Sequence, residues 1–217
     1  MSLPGNDILA AVTIDGYKSA QPLPFQKSDS DRRAARAKDD ELVARCREGD
    51  LSAFEAIYRR HSTSLFNLAF RMVGNANDAE DLLQEIFLLA YNKLPSYQGQ
   101  AALGTWLYRV ATNRCLDHLR SRAARNQAVT DSLDDKDRPL SGAPMESTPE
   151  RLDLEQSVDQ LPDSYRAAFL LYDVEGFEHK EVAEILGVAE GTSKSLVHKA
   201  RLKIRKHLGQ FRGGARQ

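Results

Sequence analysis

From residue 39 onward the hydrophobic positions recur at spacings of three and four, the period of a helix that buries one face. Leu42, Val43 and Cys46 set a first helix that Gly49 closes, and Asp50 stands where the next helix takes its cap. Phe54, Ile57 and Tyr58, then Leu65, Leu68, Ala69 and Met72, carry the apolar pattern to Gly74-Asn75. In DAEDLLQEIFLLAYNKL the residues Ala79, Leu82, Leu83, Ile86, Phe87 and Ala90 form a full stripe, and Pro95 ends it. Asp78, Glu80 and Asp81 fall in the first turn of that helix, where they suit the positive end of its dipole. Residues 96–104 read as a loop. A further helix follows, with Thr105 as its expected N-cap and Trp106, Leu107, Val110, Ala111 and Leu119 on its buried side. No segment alternates polar and apolar residues as a strand would, so the predicted fold class is all-α.

The pattern stops at residues 126–150, which are rich in Asp, Ser, Pro and Gly. Between 131 and 155 there are eight acids and three bases, so this stretch reads as a flexible acidic linker between two small helical domains. The second domain, residues 151–210, opens with Leu152, Leu154 and Val158 and breaks at Leu161-Pro162. Asp163 or Ser164 is the expected cap of the next helix, whose apolar positions are Tyr165, Ala168, Phe169, Leu171 and Tyr172. Val182, Ala183, Ile185 and Leu186 make a short helix that stops at Gly187. Thr192 is the expected cap of a last helix with Val197, Ala200, Ile204 and Leu208 inside. Two short helices across a tight turn predict a helix-turn-helix. Residues 1–37, broken by Pro and Gly, read as a disordered extension ahead of a first domain at 38–125, and residues 211–217 as a tail.

Charge alters this picture locally. The 217-residue chain has a formal net charge of −1, which announces no nucleic-acid partner. The last helix nevertheless carries Lys194, Lys199, Arg201, Lys203, Arg205 and Lys206 with no acid between 192 and 208. The helix after the 96–104 loop carries Arg109, Arg114, Arg120, Arg122 and Arg125 against Asp117 alone. Two basic helices, one of them in a helix-turn-helix, point to DNA. Cys46 and Cys115 lie far apart without His or Cys at ligand spacing, so free thiols are expected and neither a disulfide nor a metal site. Phosphate-loop, HExxH and GxSxG motifs are absent, and the histidines are scattered; neither an enzyme nor a cofactor is implied. No run is long enough to span a membrane and no secretory leader is recognisable, so the expected location is the cytoplasm, without membrane insertion.

The blocks DAEDLLQEIFLLAY, TWLYRVATNRCLDHLR, LPDSYRAAFLL and EVAEILGVAEGTSKSLVHKAR, in that order, resemble the extracytoplasmic-function (ECF) sigma factors over residues 39–208. The resemblance implies a protein that binds core RNA polymerase and directs it to promoter DNA, with an anti-sigma factor as a further partner. It assigns Asp78, Asp81, Leu82, Gln84, Glu85 and Phe87 to the polymerase contact. It assigns Tyr97, Trp106, Arg109, Asn113, Arg114 and Arg120 to the −10 element. Thr192, Lys194, Ser195, Leu196, His198, Lys199 and Arg201 would read the −35 element. Three residues depart from the family pattern: Ser193 replaces an apolar packing residue, Leu196 stands where arginine is usual, and Leu103 stands in the loop where an aromatic is common. The residues also accommodate a free-standing helix-turn-helix regulator whose first domain senses a ligand or dimerises.

Overall fold

A computed structural model describes residues 29–129 and 149–214, all of whose regular elements are helical. The first domain holds α1 (Asp29–Arg47), α2 (Leu51–Val73), α3 (Ala76–Lys93) and α4 (Leu103–Val129), with a single 3-10 turn, Leu94–Ser96, after α3. The second holds α5 (Pro149–Asp159), α6 (Asp163–Phe169) running on as a π turn (Leu170–Val174), α7 (His179–Leu186) and α8 (Glu190–Gly214).

The predicted stripes are buried. Ile57, Leu65, Leu68, Met72, Leu82, Ile86, Phe87 and Leu107 are all sealed from solvent. Each such side chain contributes about 1.5–3 kcal/mol relative to exposure. Asp50 caps α2 by accepting from the Ser52 amide at 2.9 Å, and Asn75 caps α3 by accepting from the Asp78 amide at 3.1 Å. Polar ties hold α1 in place. Its Asp39 is buried against Arg60 and His61 of α2, and Arg47 donates to the Tyr97 carbonyl. Burial pushes the Asp39 carboxyl up, but its bonds to His61 and Arg60 outweigh that and hold it below the ordinary value.

Several helix starts differ from the sequence expectation. Helix α1 begins at Asp29, ten residues before the apolar pattern does. Helix α4 begins at Leu103, because fully buried Leu103 anchors the first turn and the Trp106 amide already bonds the Ala102 carbonyl at 3.0 Å. Thr105 is therefore a buried residue of the first turn and not its cap. Helix α8 begins at Glu190, with the Thr192 and Ser193 amides both bonding the Ala189 carbonyl. The Glu190 carboxylate suits the positive helix end and pairs with Lys194 at 2.7 Å, so Thr192 lies inside the helix. Neither Asp163 nor Ser164 caps α6; Pro162 precedes it and accepts the first amides. Helix α8 continues to Gly214, into the expected tail. Helix α4 runs to Val129 and α5 opens at Pro149, both inside the expected linker 126–150, whose remainder at 130–148 lies outside the described residues, as do residues 1–28 of the N-terminal extension.

In the helix-turn-helix, Glu178 and Glu181 form a reciprocal capping box at the start of α7. Gly187 takes φ +67 at its end, the left-handed conformation that a side chain resists. Helix α8 then rests on α5, α6 and α7 through Val197, Ala200 and Ile204.

The two domains are docked. One apolar cluster runs from Leu65, Met72 and Leu107 into Leu170, Leu171, Val182, Ile185 and Val197. Helix α4 packs along α7, and α6 touches both α2 and α4. Arg166, only 2% exposed, sits where two helices end. Its guanidinium donates to the Met72 carbonyl in the last turn of α2 at 2.7 Å. It also donates to the carbonyls of Val158, Asp159 and Leu161 at and just beyond the end of α5. Helix C-termini leave carbonyls unpaired and carry partial negative charge, so one cation satisfies both ends. Nearby, the Tyr108 hydroxyl donates to Glu175 at 2.5 Å, Arg71 lies 3.6 Å from the same carboxylate, and the Tyr108 ring meets Phe177 edge-on at 4.8 Å.

Candidate nucleic-acid interface

Helix α3 presents two faces. Leu82 and Phe87, expected at a partner surface, are 1% and 0% exposed and belong to the core. The outer face carries Asp81, Gln84 and Glu85, joined by two residues that the sequence reading did not assign, Leu88 (51% exposed) and Tyr91 (43% exposed). Their spacing from Asp81 and Gln84 places them on the same side of the helix, which is the signal that would have found them. Two of the assigned acids are occupied within the chain. Asp78 lies 3.7 Å from both His118 and Arg122 of α4, and Glu85 pairs with Arg114.

On α4, Trp106, Arg109, Asn113 and Arg120 share one side at helical spacing, and Arg109, Asn113 and Arg120 are exposed. Arg114 points away toward α3, and its bond to Glu85 raises its pKa further. Tyr97 is buried: its hydroxyl donates to the Ala101 carbonyl at 2.5 Å and its ring packs 5.3 Å from Trp106. It braces the loop that leads into α4, leaving Trp106 half-exposed beside the row of polar residues. Cys115, on the inner side of the same helix, is sealed, and burial pushes its thiol up to about 12.

On α8, Thr192, Lys194, Ser195, His198 and Lys199 are exposed in the first turns, as the N-terminal part of a recognition helix requires. Leu196 is half-buried and packs on the apolar cluster, so it supports the helix from behind. Arg201 is exposed but engaged. It pairs with Asp173 through both Nε (3.1 Å) and Nη2, and its guanidinium lies 5.4 Å from the centre of the Tyr172 ring. Ser193, the unusual residue in this motif, is wholly buried. Its hydroxyl lies 3.1 Å from Nδ1 of His179, whose ring stacks on Tyr172 at 4.0 Å. The polar side chain thus ties the start of α7 to α8. Among the described residues no helix is long and apolar enough to cross a membrane, and no group of three or more His, Cys, Asp or Glu could hold a metal ion.

Residues 57–125 match the family described as Sigma-70 region 2, and residues 151–204 match Sigma-70, region 4. The ECF RNA polymerase sigma factor SigE of Mycolicibacterium smegmatis is 34% identical over 169 residues, covering 74% of this chain. The match takes in 63% of that relative, a little under two thirds of its length. The ECF RNA polymerase sigma factor SigM of Mycobacterium tuberculosis is 35% identical over 177 residues, 81% of this chain and 87% of that one. Among solved structures, the sigma factor RpoE in complex with the anti-sigma factor NepR from Bartonella quintana superposes with a TM-score of 0.62 at 25% identity. That superposition covers 72% of this chain and 96% of RpoE.

Fold and surfaces together define a DNA-reading protein of two helical domains. The chain belongs to the ECF RNA polymerase sigma factors: it directs RNA polymerase to promoters and is not itself catalytic.

Proposed function

We propose that three surfaces divide the work of promoter recognition. The outer face of α3, with Asp81, Gln84, Leu88 and Tyr91 at its centre, binds core polymerase. The side of α4 bearing Trp106, Arg109, Asn113 and Arg120 engages the −10 element, aromatic and amide groups meeting bases while arginines meet phosphates. Thr192, Lys194, Ser195, His198 and Lys199 at the start of α8 enter the major groove at the −35 element. Leu196 sets the height of that helix rather than touching bases, and Arg201 joins the contact once Asp173 releases it. The observation that carries this division is the exposed acidic and apolar face of α3, which a free-standing DNA reader has no use for. An anti-sigma protein is the partner we propose for the unengaged chain, supported by the likeness to RpoE bound to NepR. The working location is the cytoplasm, where polymerase and promoters are.

Asp81→Arg combined with Leu88→Arg tests the polymerase surface without disturbing the Glu85–Arg114 pair. Affinity for purified core polymerase is expected to fall about tenfold or more, equivalent to at least about 1.4 kcal/mol. Helical content should stay that of the parent. Unchanged affinity would remove the outer face of α3 as the contact.

A further inference from the structure

We infer that α1 is a positioning element for promoter recognition: Arg36 and Arg47 hold the loop that leads into α4, so selectivity at the −10 element depends on a helix outside the DNA-reading surfaces. The inference rests on the assignment of α4 to the −10 element. Helix α1 belongs to none of the three proposed surfaces. It begins at Asp29, inside what reads from the sequence as a disordered extension, and it meets the loop along most of its length. Arg47, in the last turn of α1, donates to the Tyr97 carbonyl where the loop begins. Arg36, about three turns earlier in the helix, donates to the Gly99 carbonyl at 3.3 Å. Gly99 takes φ +71 there, a left-handed turn that a side chain resists. Where the loop ends, Gly104 in the first turn of α4 faces the ring of His61. Asp39 of α1 lies 3.5 Å from Nε2 of that ring.

The loop is held on one side and open on the other. Tyr97, Gly99 and Ala101 each give a carbonyl to an inner donor: Arg47, Arg36 and the Tyr97 hydroxyl, the last at 2.5 Å. The residues between them, Gln98 and Gln100, are exposed, and their side-chain amides bond each other at 3.1 Å. The buried Tyr97 ring packs 5.3 Å from Trp106, so the position of the loop sets that of the half-exposed indole beside Arg109 and Asn113. A charged donor makes a stronger bond to a carbonyl than a neutral one does. Helix α1 is itself fixed, by buried Leu42 and Val43 and by the pair of Asp39 with Arg60. Two charged donors on a fixed helix make a short loop preorganised. Such a loop loses little further entropy when DNA arrives, and it cannot reshape itself around a wrong base. Arg36 and Arg47 are thus positioning residues that act through Tyr97, Gly99 and Trp106.

Arg36→Gln combined with Arg47→Gln removes both charged donors from exposed positions, so helical content is expected to stay that of the parent. The assay uses holoenzyme assembled from core polymerase and the full-length chain. Its DNA is a promoter fragment mapped by run-off transcription with that holoenzyme, and the same fragment with one −10 base pair changed. The ratio of initiation on the two fragments is expected to fall at least about fivefold in the double variant, within the range that one base pair commands. Affinity for core polymerase should match the parent's. Arg47→Lys, which keeps a charged donor, should retain most of the parent ratio. A double variant that discriminates as the parent does would overturn the inference. So would a salt dependence of holoenzyme binding that flattens on both fragments by about 0.9 in log–log slope per arginine, the mark of direct phosphate contact. Asn113→Ala separates the two kinds of failure. Loss of −10 discrimination in that variant, with none in the arginine variant, discards the brace and keeps the assignment of α4. Discrimination untouched by Asn113→Ala removes the assignment of α4 and the inference with it.

Discussion

At the scale of single residues, Arg166 is the position whose importance periodicity could not show. Its neighbours Tyr165 and Ala168 fit the apolar stripe, whereas an arginine in that stripe looks like a wet face. Only the convergence of α2 and α5 explains it, since their ends present carbonyls that water does not reach. Arg166→Met should cost about 3 kcal/mol or more, because several buried carbonyls lose their donor at roughly 1–3 kcal/mol apiece. Arg166→Lys should recover only part of this, because an ammonium lacks the planar fork that reaches several carbonyls at once. Urea denaturation checks both; a loss under about 1 kcal/mol for the methionine variant would mean that the carbonyls find other donors. Ser193 teaches the converse lesson. Its departure from the family pattern was legible, but its meaning was not, because the partner His179 lies fourteen residues away on another helix.

At the scale of elements, the helices themselves were nearly all legible, since each carries its own apolar stripe and most of its own stop signal. Their first residues were less so. Asp50 and Asn75 act as caps because nothing nearer competes for the free amides. Thr105 and Thr192 do not cap, because buried Leu103 and the Glu190 carboxylate pull the start of each helix back. The Asp50 cap carries a pH signature. Hydrogen bonds from Ser52 and Arg45 hold its carboxyl down to about 2, against an ordinary 3.8. A carboxyl depressed in the folded state stabilises it above the unfolded value and loses that contribution as pH falls through the folded one. The window is therefore about pH 4 down to pH 2. Asp50→Asn retains a capping oxygen but cannot titrate, so its stability profile should be flatter than the parent's across that window. Acid titrations followed by circular dichroism on the two proteins decide it; parallel profiles would show that the cap does not titrate.

At the scale of the molecule, sequence and structure agree on two helical domains and differ on their independence. Apolar positions on α4 such as Leu107, Ala111 and Cys115 read the same whether they face their own bundle or a neighbouring one. A stripe shows that a face is buried, never against what. The docking of α7 on α4 was therefore invisible, and the acidic composition of 126–150 argued for separation. One shared cluster has a thermodynamic consequence, because domains that bury surface against each other tend to melt together. In scanning calorimetry the parent should show a single transition whose calorimetric and van't Hoff enthalpies agree. Glu175→Lys, which sets a second cation against Arg71 where the domains meet, should resolve it into two transitions, the first-domain one lying higher if its larger core is the more stable. Two transitions in the parent itself would mean that the contact contributes little free energy and that the two domains melt as independent units.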